Sequence, residues 1–130
     1  MLLRLILGDR GALAEWRSIK HGIASALVEV ECLRTIDRLH QQGKLPLPQI
    51  ASRRSAVYDL IEEVEVVPLS EPVLRRAAQP FPVPLGTLDA LHLATALLWT
   101  ERRGGALVMA THDASLATAS RACGLDVVGM

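Results

Sequence analysis

Aromatic residues are scarce in this sequence. They make up 3% of the chain, and they are Trp16, Tyr58, Phe81 and Trp99. Proteins that hold single-stranded nucleic acids on a flat surface stack successive bases on aromatic rings. A base-stacking platform of that kind is therefore not expected.

The sequence also has no excess of charge of either sign. Its 14 Lys and Arg residues balance 14 Asp and Glu residues, so the formal net charge at pH 7 is zero. Attraction of a whole molecule to a phosphate backbone needs a strongly basic protein. Any phosphate binding must therefore depend on local groups.

No apolar run is long enough to cross a bilayer, which takes about 20 residues. The opening run "MLLRLILGDRG" is interrupted by Arg4, ended by Gly8, and followed by no cleavage site of the kind that signal peptides carry. We therefore expect a soluble, cytoplasmic protein that binds no membrane. An apolar run without a polar lead-in also suggests a fold whose first piece precedes Met1.

The few cysteine and histidine residues predict no zinc site. Cys32 and Cys123 are far apart, and both fall in helical patterns, so we interpret them as small buried side chains in a reducing compartment. The 4 histidines form no paired ligand motif.

Strand patterns alternate with helix patterns along the chain. Half of the 130 residues are apolar, which suits one domain with one core, over residues 1–130. The alternation predicts an α/β fold, a three-layer α/β/α sandwich around a mostly parallel sheet. Strands are expected at 22–27, 64–69, 106–113 and 125–130, and helices at 10–20, 25–43, 48–63, 70–80, 86–105 and 114–124.

The segment "GTLDALHLATALLWTERRGG" (86–105) gives the clearest helix pattern. It is apolar nearly all round, which predicts burial on several sides, with Thr87 as its cap and Gly104-Gly105 as its end. Ser70 is the expected cap of the helix before it. The apolar strand 106–113 is expected to be covered on both faces.

Three acidic residues fall where strands end or helices begin, which is where ligands bind in open α/β sheets. Asp113 ends the strand pattern "ALVMATHD", and Asp89 lies in the first turn of helix 86–105. Glu31 lies in the first turns of the helix that follows the strand pattern near Ile23. Each acid also has a simpler interpretation. Asp113 would cap the next helix, Asp89 would be favoured by the helix dipole, and Glu31 would be solvated. Periodicity does not decide between Glu29 and Glu31.

Taken together, the three acids suit a divalent metal ion. Carboxylates that converge on one cleft repel one another unless a cation neutralises them. Oxygen ligands are those that Mg²⁺ or Mn²⁺ prefers, and such an ion activates water for phosphodiester hydrolysis. The hydroxyl of Thr111 would complete such a site by a hydrogen bond to a metal ligand or water.

The chain resembles the PIN domain, and within it the VapC-type toxins of bacterial toxin–antitoxin operons. The resemblance is carried by "SALVEVECLR" (25–34), "LGTLDALHLATAL" (85–97) and "MATHDASLATASRACGLDVVG" (109–129). In the family a Ser precedes the helix Glu by six positions and an Arg follows it by three. Ser25, Glu31 and Arg34 match, which selects Glu31 over Glu29. Asp89 and Asp113 match the family's other acids.

One part of the family pattern has no counterpart in this chain. The family begins with a strand that ends in an Asp, and the run at the N-terminus is similar to the helix that follows it. The resemblance therefore implies that the first strand and its Asp lie upstream of Met1, through a late gene start or a truncation, so that the domain is N-terminally incomplete. Asp9 is interpreted as a turn residue and not as a substitute for that acid.

The resemblance implies a Mg²⁺-dependent endoribonuclease toxin, with Mn²⁺ as another usable ion. Glu31, Asp89 and Asp113 would hold the metal and carry catalysis, supported by Arg34, Thr111 and Ser25. Its partners would be an RNA substrate, a cognate antitoxin and a second copy of the chain in a homodimer. Two alternatives remain: a catalytically impaired module that dimerises and binds an antitoxin, and a nuclease of this fold that acts on DNA. Arginines that would contact phosphate, or else simply be solvated, are Arg53, Arg54, Arg75 and Arg76.

Overall fold

The computed structural model describes residues 17–130, in which helices and strands alternate along the chain. These residues fall into an N-terminal unit, 17–66, and a C-terminal unit, 67–130. The apolar run at the N-terminus, Asp9 and most of the helix predicted at 10–20 lie outside the described residues. The elements are β1 (Ile23–Ser25), α1 (Leu27–Gln41), α2 (Leu47–Glu62), β2 (Glu65–Val67), α3 (Glu71–Ala77), α4 (Thr87–Arg103), β3 (Val108–Ala110), α5 (Ala114–Ala122) and β4 (Asp126–Val128).

Helix α1 is held in the N-terminal unit by an apolar stripe. Val28, Cys32 and Ile36 follow one another at a spacing of four residues, and all three are buried. This spacing keeps side chains on one face of a helix. They form the core of the unit together with Leu45 and Val57, where α1 packs against α2.

Cys32 behaves as an apolar member of this core. Burial raises the pKa of its thiol to about 11, and the neighbouring charge of Glu31 acts in the same direction. The thiol therefore stays protonated at neutral pH. Its burial as a small core side chain is confirmed, whereas Cys123 is only half-buried.

Helix α4 forms the centre of the C-terminal unit. All five residues from 93 to 97 are buried, which confirms that the helix is covered on several sides. It packs against α3 and α5, and Leu93 and Leu97 share a core with Leu116 and Leu125. None of the helices described in residues 17–130 is long and apolar enough to cross a membrane.

Strands β3 and β4 pair in parallel, with Val108 opposite Asp126 and Ala110 opposite Val128. Strand β1 pairs with β2 in a second two-stranded sheet. The α/β class and a parallel pair are thus confirmed. Among residues 17–130, the strands are joined as these two separate pairs and not as the single expected sheet.

Three details differ from the sequence-based expectations. Helix α4 has Gly86 at its N-cap position, so Thr87 is its first helical residue and not its cap. Ser70 does occupy the N-cap position of α3, but its side chain makes no capping hydrogen bond there. Strand β3 was expected to be covered on both faces, yet Val108 is 48% exposed. Successive side chains point to opposite faces of a strand, so Ala110 shares the face of Val108, and this face is only partly covered because Ala110 is half-buried.

The two leucines at the start and centre of α4 allow a test of this core. Leu93 is fully buried, whereas Leu88 is 52% exposed. Leu93→Ala is expected to lower the free energy of unfolding by about 2–5 kcal/mol, because it removes buried methyl groups and leaves a cavity. Leu88→Ala, the matched control, is expected to change it by about 0.5 kcal/mol or less. Urea unfolding of both variants measures the difference, and equal losses would contradict the packing of α4.

Candidate active site

The hydrogen bonding between β3 and β4 continues one residue beyond the end of β3, at Thr111. The backbone N–H of Thr111 donates to the carbonyl oxygen of Val128 at 3.1 Å. Thr111 is buried, and its Oγ1 accepts a hydrogen bond from the backbone N–H of Asp113 at 3.0 Å. The Thr111 hydroxyl therefore supports the backbone of Asp113, the acid two residues further on.

Asp113 is the N-cap of α5. Its Oδ1 accepts a hydrogen bond from the backbone N–H of Leu116 at 2.9 Å, and the residue is exposed. The structure thus confirms the simpler interpretation of this acid as a helix cap. Since the two oxygens of a carboxylate offer about four acceptor sites, the cap leaves acceptor capacity that a ligand can use.

Asp89 lies in the first turn of α4, and it is half-buried. A carboxylate in this position is favoured by the partial positive charge at the start of a helix. Asp89 and Asp113 belong to the same unit, and the helices that begin beside them, α4 and α5, pack against each other. Both candidate site acids of the C-terminal unit therefore stand at the starts of packed helices.

Glu31 and its proposed neighbours lie in the N-terminal unit. Ser25 is the last residue of β1 and is buried, and its Oγ accepts a hydrogen bond from the backbone N–H of Leu27 at 3.2 Å. Ser25 thereby supports the start of α1. Glu31, further along this helix, is half-buried, whereas Glu29 is exposed.

Arg34 is exposed and forms an ion pair with Asp37, with Nη1 and Oδ2 2.9 Å apart. The surface ion pair that the sequence allowed is therefore present. Arg34 also lines a shallow cavity of about 330 Å³ with Val30, Leu33 and Arg54. Two guanidinium groups thus border one depression in the N-terminal unit.

Two of the other candidate phosphate contacts, Arg75 and Arg76, have acidic partners. Arg75 pairs with Glu71 one turn earlier on α3. Arg76 lies 4.0 Å from Glu101 and packs over the ring of Phe81, 5.7 Å from its centroid. Arg75 is exposed on its helix, as the simpler interpretation predicted, whereas Arg76 is half-buried against Phe81 and is not a fully solvated side chain.

Sequence reasoning did not single out Gly129, which closely approaches Thr111. A side-chain carbon at this glycine would lie 2.8 Å from the carbonyl oxygen of Thr111. The only local signal was a glycine directly after the last strand pattern, and such glycines are common.

The structure brings together Thr111 with Asp113, and Ser25 with the start of α1. Glu31 belongs to one unit and the two aspartates to the other, so the convergence of all three acids stays a prediction. Within either unit, the described residues bring no three His, Cys, Asp or Glu side chains together as a metal site. The three acids offer only oxygen donors, and this chemistry fits a hard divalent cation such as Mg²⁺.

Comparison with known proteins relates the chain to one family. Residues 2–122 match the family model described as PIN domain. The chain is 33% identical over 128 residues to Ribonuclease VapC35 of Mycobacterium tuberculosis, in both strain CDC 1551 / Oshkosh and strain ATCC 25618 / H37Rv. Each match covers 92% of this chain and 83% of the relative. The chain therefore belongs to the PIN-domain family, as a domain of the VapC type.

Proposed function

We propose that this chain is a Mg²⁺-dependent endoribonuclease toxin of a type II toxin–antitoxin system, in which Mn²⁺ can replace Mg²⁺. PIN nucleases generally use divalent metal ions. The observation that carries the proposal is the exposed carboxylate of Asp113, which accepts a hydrogen bond from the Leu116 N–H at the start of α5, while the Thr111 hydroxyl holds the Asp113 backbone N–H. The name Ribonuclease, given to relatives that match 92% of the chain, supports RNA as the substrate class.

In this proposal Glu31, Asp89 and Asp113 hold the metal, directly or through water. When bound, the ion lowers the pKa of a coordinated water and stabilises the negative charge that develops on the phosphate. Three carboxylates near one point repel one another without a cation. The three acids would therefore bind a divalent ion, and the bound ion would offset the repulsion between them.

The supporting residues orient these acids and the substrate. Thr111 fixes the backbone of Asp113, and Ser25 fixes the start of the helix that carries Glu31. Arg34 is exposed, so its guanidinium can neutralise a phosphate of the substrate. A guanidinium suits this task because it donates two parallel hydrogen bonds to phosphate oxygens.

The partners of the proposal follow from the VapC type of the family. We propose a cognate antitoxin that holds the toxin inactive, a homodimer as the working assembly, and a cytoplasmic location where RNA is present. We also propose that residues 1–130 form one domain, which the match of the family model over residues 2–122 supports.

Asp113 allows the metal-binding role to be separated from the helix cap. Asp113→Asn is expected to keep the stability of the fold, because Asn caps a helix about as well as Asp. The same change removes a charged metal ligand, so Mn²⁺-dependent RNA cleavage is expected to fall by about 100-fold or more, equivalent to about 2.7 kcal/mol of transition-state stabilisation. Cleavage of a labelled RNA and thermal unfolding measure the two effects.

The matched control is Asp126→Asn, which removes an exposed carboxylate from the same unit. It is expected to leave both cleavage and stability unchanged. An unaltered chain that binds no Mg²⁺ in a calorimetric titration would contradict the proposal and favour the non-catalytic module. Metal-dependent cleavage of DNA in place of RNA would contradict the substrate class alone.

Helix α1 offers a second matched pair of acids. Glu31→Gln is expected to reduce metal-dependent RNA cleavage by about 100-fold, because it replaces a charged oxygen ligand with a neutral one. Glu29→Gln, on the exposed side of the same helix, is expected to leave the rate unchanged. Initial cleavage rates at saturating Mg²⁺ distinguish the two. Equal rates for the two variants would show that the family spacing selects the wrong glutamate.

A further inference from the structure

Gly129 follows β4 at the point where the backbone passes closest to Thr111. Its φ is +95°, a conformation that side chains of L residues rarely adopt. A Cβ built on Gly129 would lie 2.8 Å from the carbonyl oxygen of Thr111 and 3.3 Å from Cε1 of His112. The nearest atom is backbone, and it cannot rotate away as a side chain can.

The close approach sets Gly129 apart from the other glycines with positive φ in residues 17–130. Those glycines are Gly43, Gly104, Gly105 and Gly124, and a Cβ at any of them would meet no atom within 4 Å. At these four positions, a glycine is favoured by the positive φ and not by a nearby atom. At position 129, a glycine is favoured both by the positive φ and by the close approach of Thr111.

The segment that Gly129 touches is the one that supports Asp113. The N–H of Thr111 is bonded to Val128, so both sides of the contact belong to one hydrogen-bonded ladder. A methyl group at 129 would have to push Thr111 away from β4 or move the end of β4. Displacement of Thr111 would move its Oγ1, which accepts a hydrogen bond from the backbone N–H of Asp113.

On the Thr111 side of the contact, the packing leaves little room for adjustment. Thr111 is buried, and Nε2 of His112 is buried without a hydrogen-bond partner among the described residues. Since protein interiors are close-packed, displacement at such a position is transmitted to the neighbours. The neighbour of Thr111 along the chain is the turn that carries Asp113.

We propose that Gly129 is a positioning residue for Asp113: its missing side chain lets β4 hold Thr111 where the Thr111 hydroxyl fixes the Asp113 backbone. The consequence for metal binding rests on the function proposed above. The consequence for the turn itself does not, because it concerns hydrogen bonds of the chain alone.

The test compares Gly129→Ala with Gly124→Ala in the full chain. Both changes place an alanine at positive φ, but only the first adds a steric contact, so Gly124→Ala controls for backbone strain. Amide hydrogen exchange measured by NMR reports on the N–H groups of Asp113 and Leu116. Gly129→Ala is expected to accelerate exchange at both amides by about 10-fold, and Gly124→Ala by about twofold or less.

Calorimetric titration with Mn²⁺ provides the second measurement. Gly129→Ala is expected to weaken Mn²⁺ binding by about 10-fold, as is common when a residue that orients a metal ligand is changed. Gly124→Ala is expected to bind Mn²⁺ as the unaltered chain does. If the unaltered chain itself binds no Mn²⁺, the proposed function fails, while the exchange rates still decide the role of Gly129.

Two results would overturn the inference. One is unchanged exchange at Asp113 and Leu116 in Gly129→Ala. The other is a Gly129→Ala chain that does not fold, since the glycine would then be required by the fold and not by Asp113.

Thr111→Val and Thr111→Ser test the connecting step, the hydrogen bond from the Asp113 N–H to the Thr111 hydroxyl, independently. Only the valine removes the hydroxyl, so only it is expected to accelerate exchange at Asp113, and equal rates in both would also overturn the inference.

Discussion

The parallel pairing of β3 with β4 is the interaction on which the arrangement around Asp113 depends. The hydrogen bond from Thr111 to Val128 extends the ladder one residue beyond β3. The Thr111 hydroxyl then accepts a hydrogen bond from the N–H of Asp113. The carboxylate of Asp113 in turn accepts a hydrogen bond from the N–H of Leu116. Three successive hydrogen bonds thus fix the first turn of α5 relative to the sheet, and the acid lies between the second and the third.

This arrangement removes the conflict between the two interpretations of Asp113. Capping a helix and binding a metal do not exclude each other, because a carboxylate has enough acceptor sites for both. The cap also restricts the side chain before any ligand arrives. Because the entropy of ordering the side chain is lost on folding, a metal ion does not have to supply it on binding. Capping thus orders the carboxylate that we propose as a metal ligand.

The local sequence predicted helices well and long-range features poorly. Helix α4 was expected at 86–105 and is found at Thr87–Arg103, because its apolar pattern and its terminal glycines are local signals. The pairing of strands depends on residues far apart in the chain, so which strands pair within residues 17–130 could not be foreseen. The same reason explains why Gly129 was missed, since its contact is Thr111, 18 residues earlier in the chain and just beyond the end of β3. Glu31 was selected over Glu29 by the family's spacing, which periodicity alone could not do.

A chain with no net charge can still offer local contacts for phosphate through its arginines. Arg34 and Arg75 both pair with acids on their own helices, and all four side chains are substantially exposed. Exposed ion pairs are worth only about 0–1 kcal/mol, because water and salt compete for both charges. A phosphate offers a guanidinium two parallel, charge-assisted hydrogen bonds, which are stronger. In the proposed function, exchange of Asp37 for phosphate at Arg34 would therefore cost little, and Arg34 lies on α1, the helix that also carries Glu31.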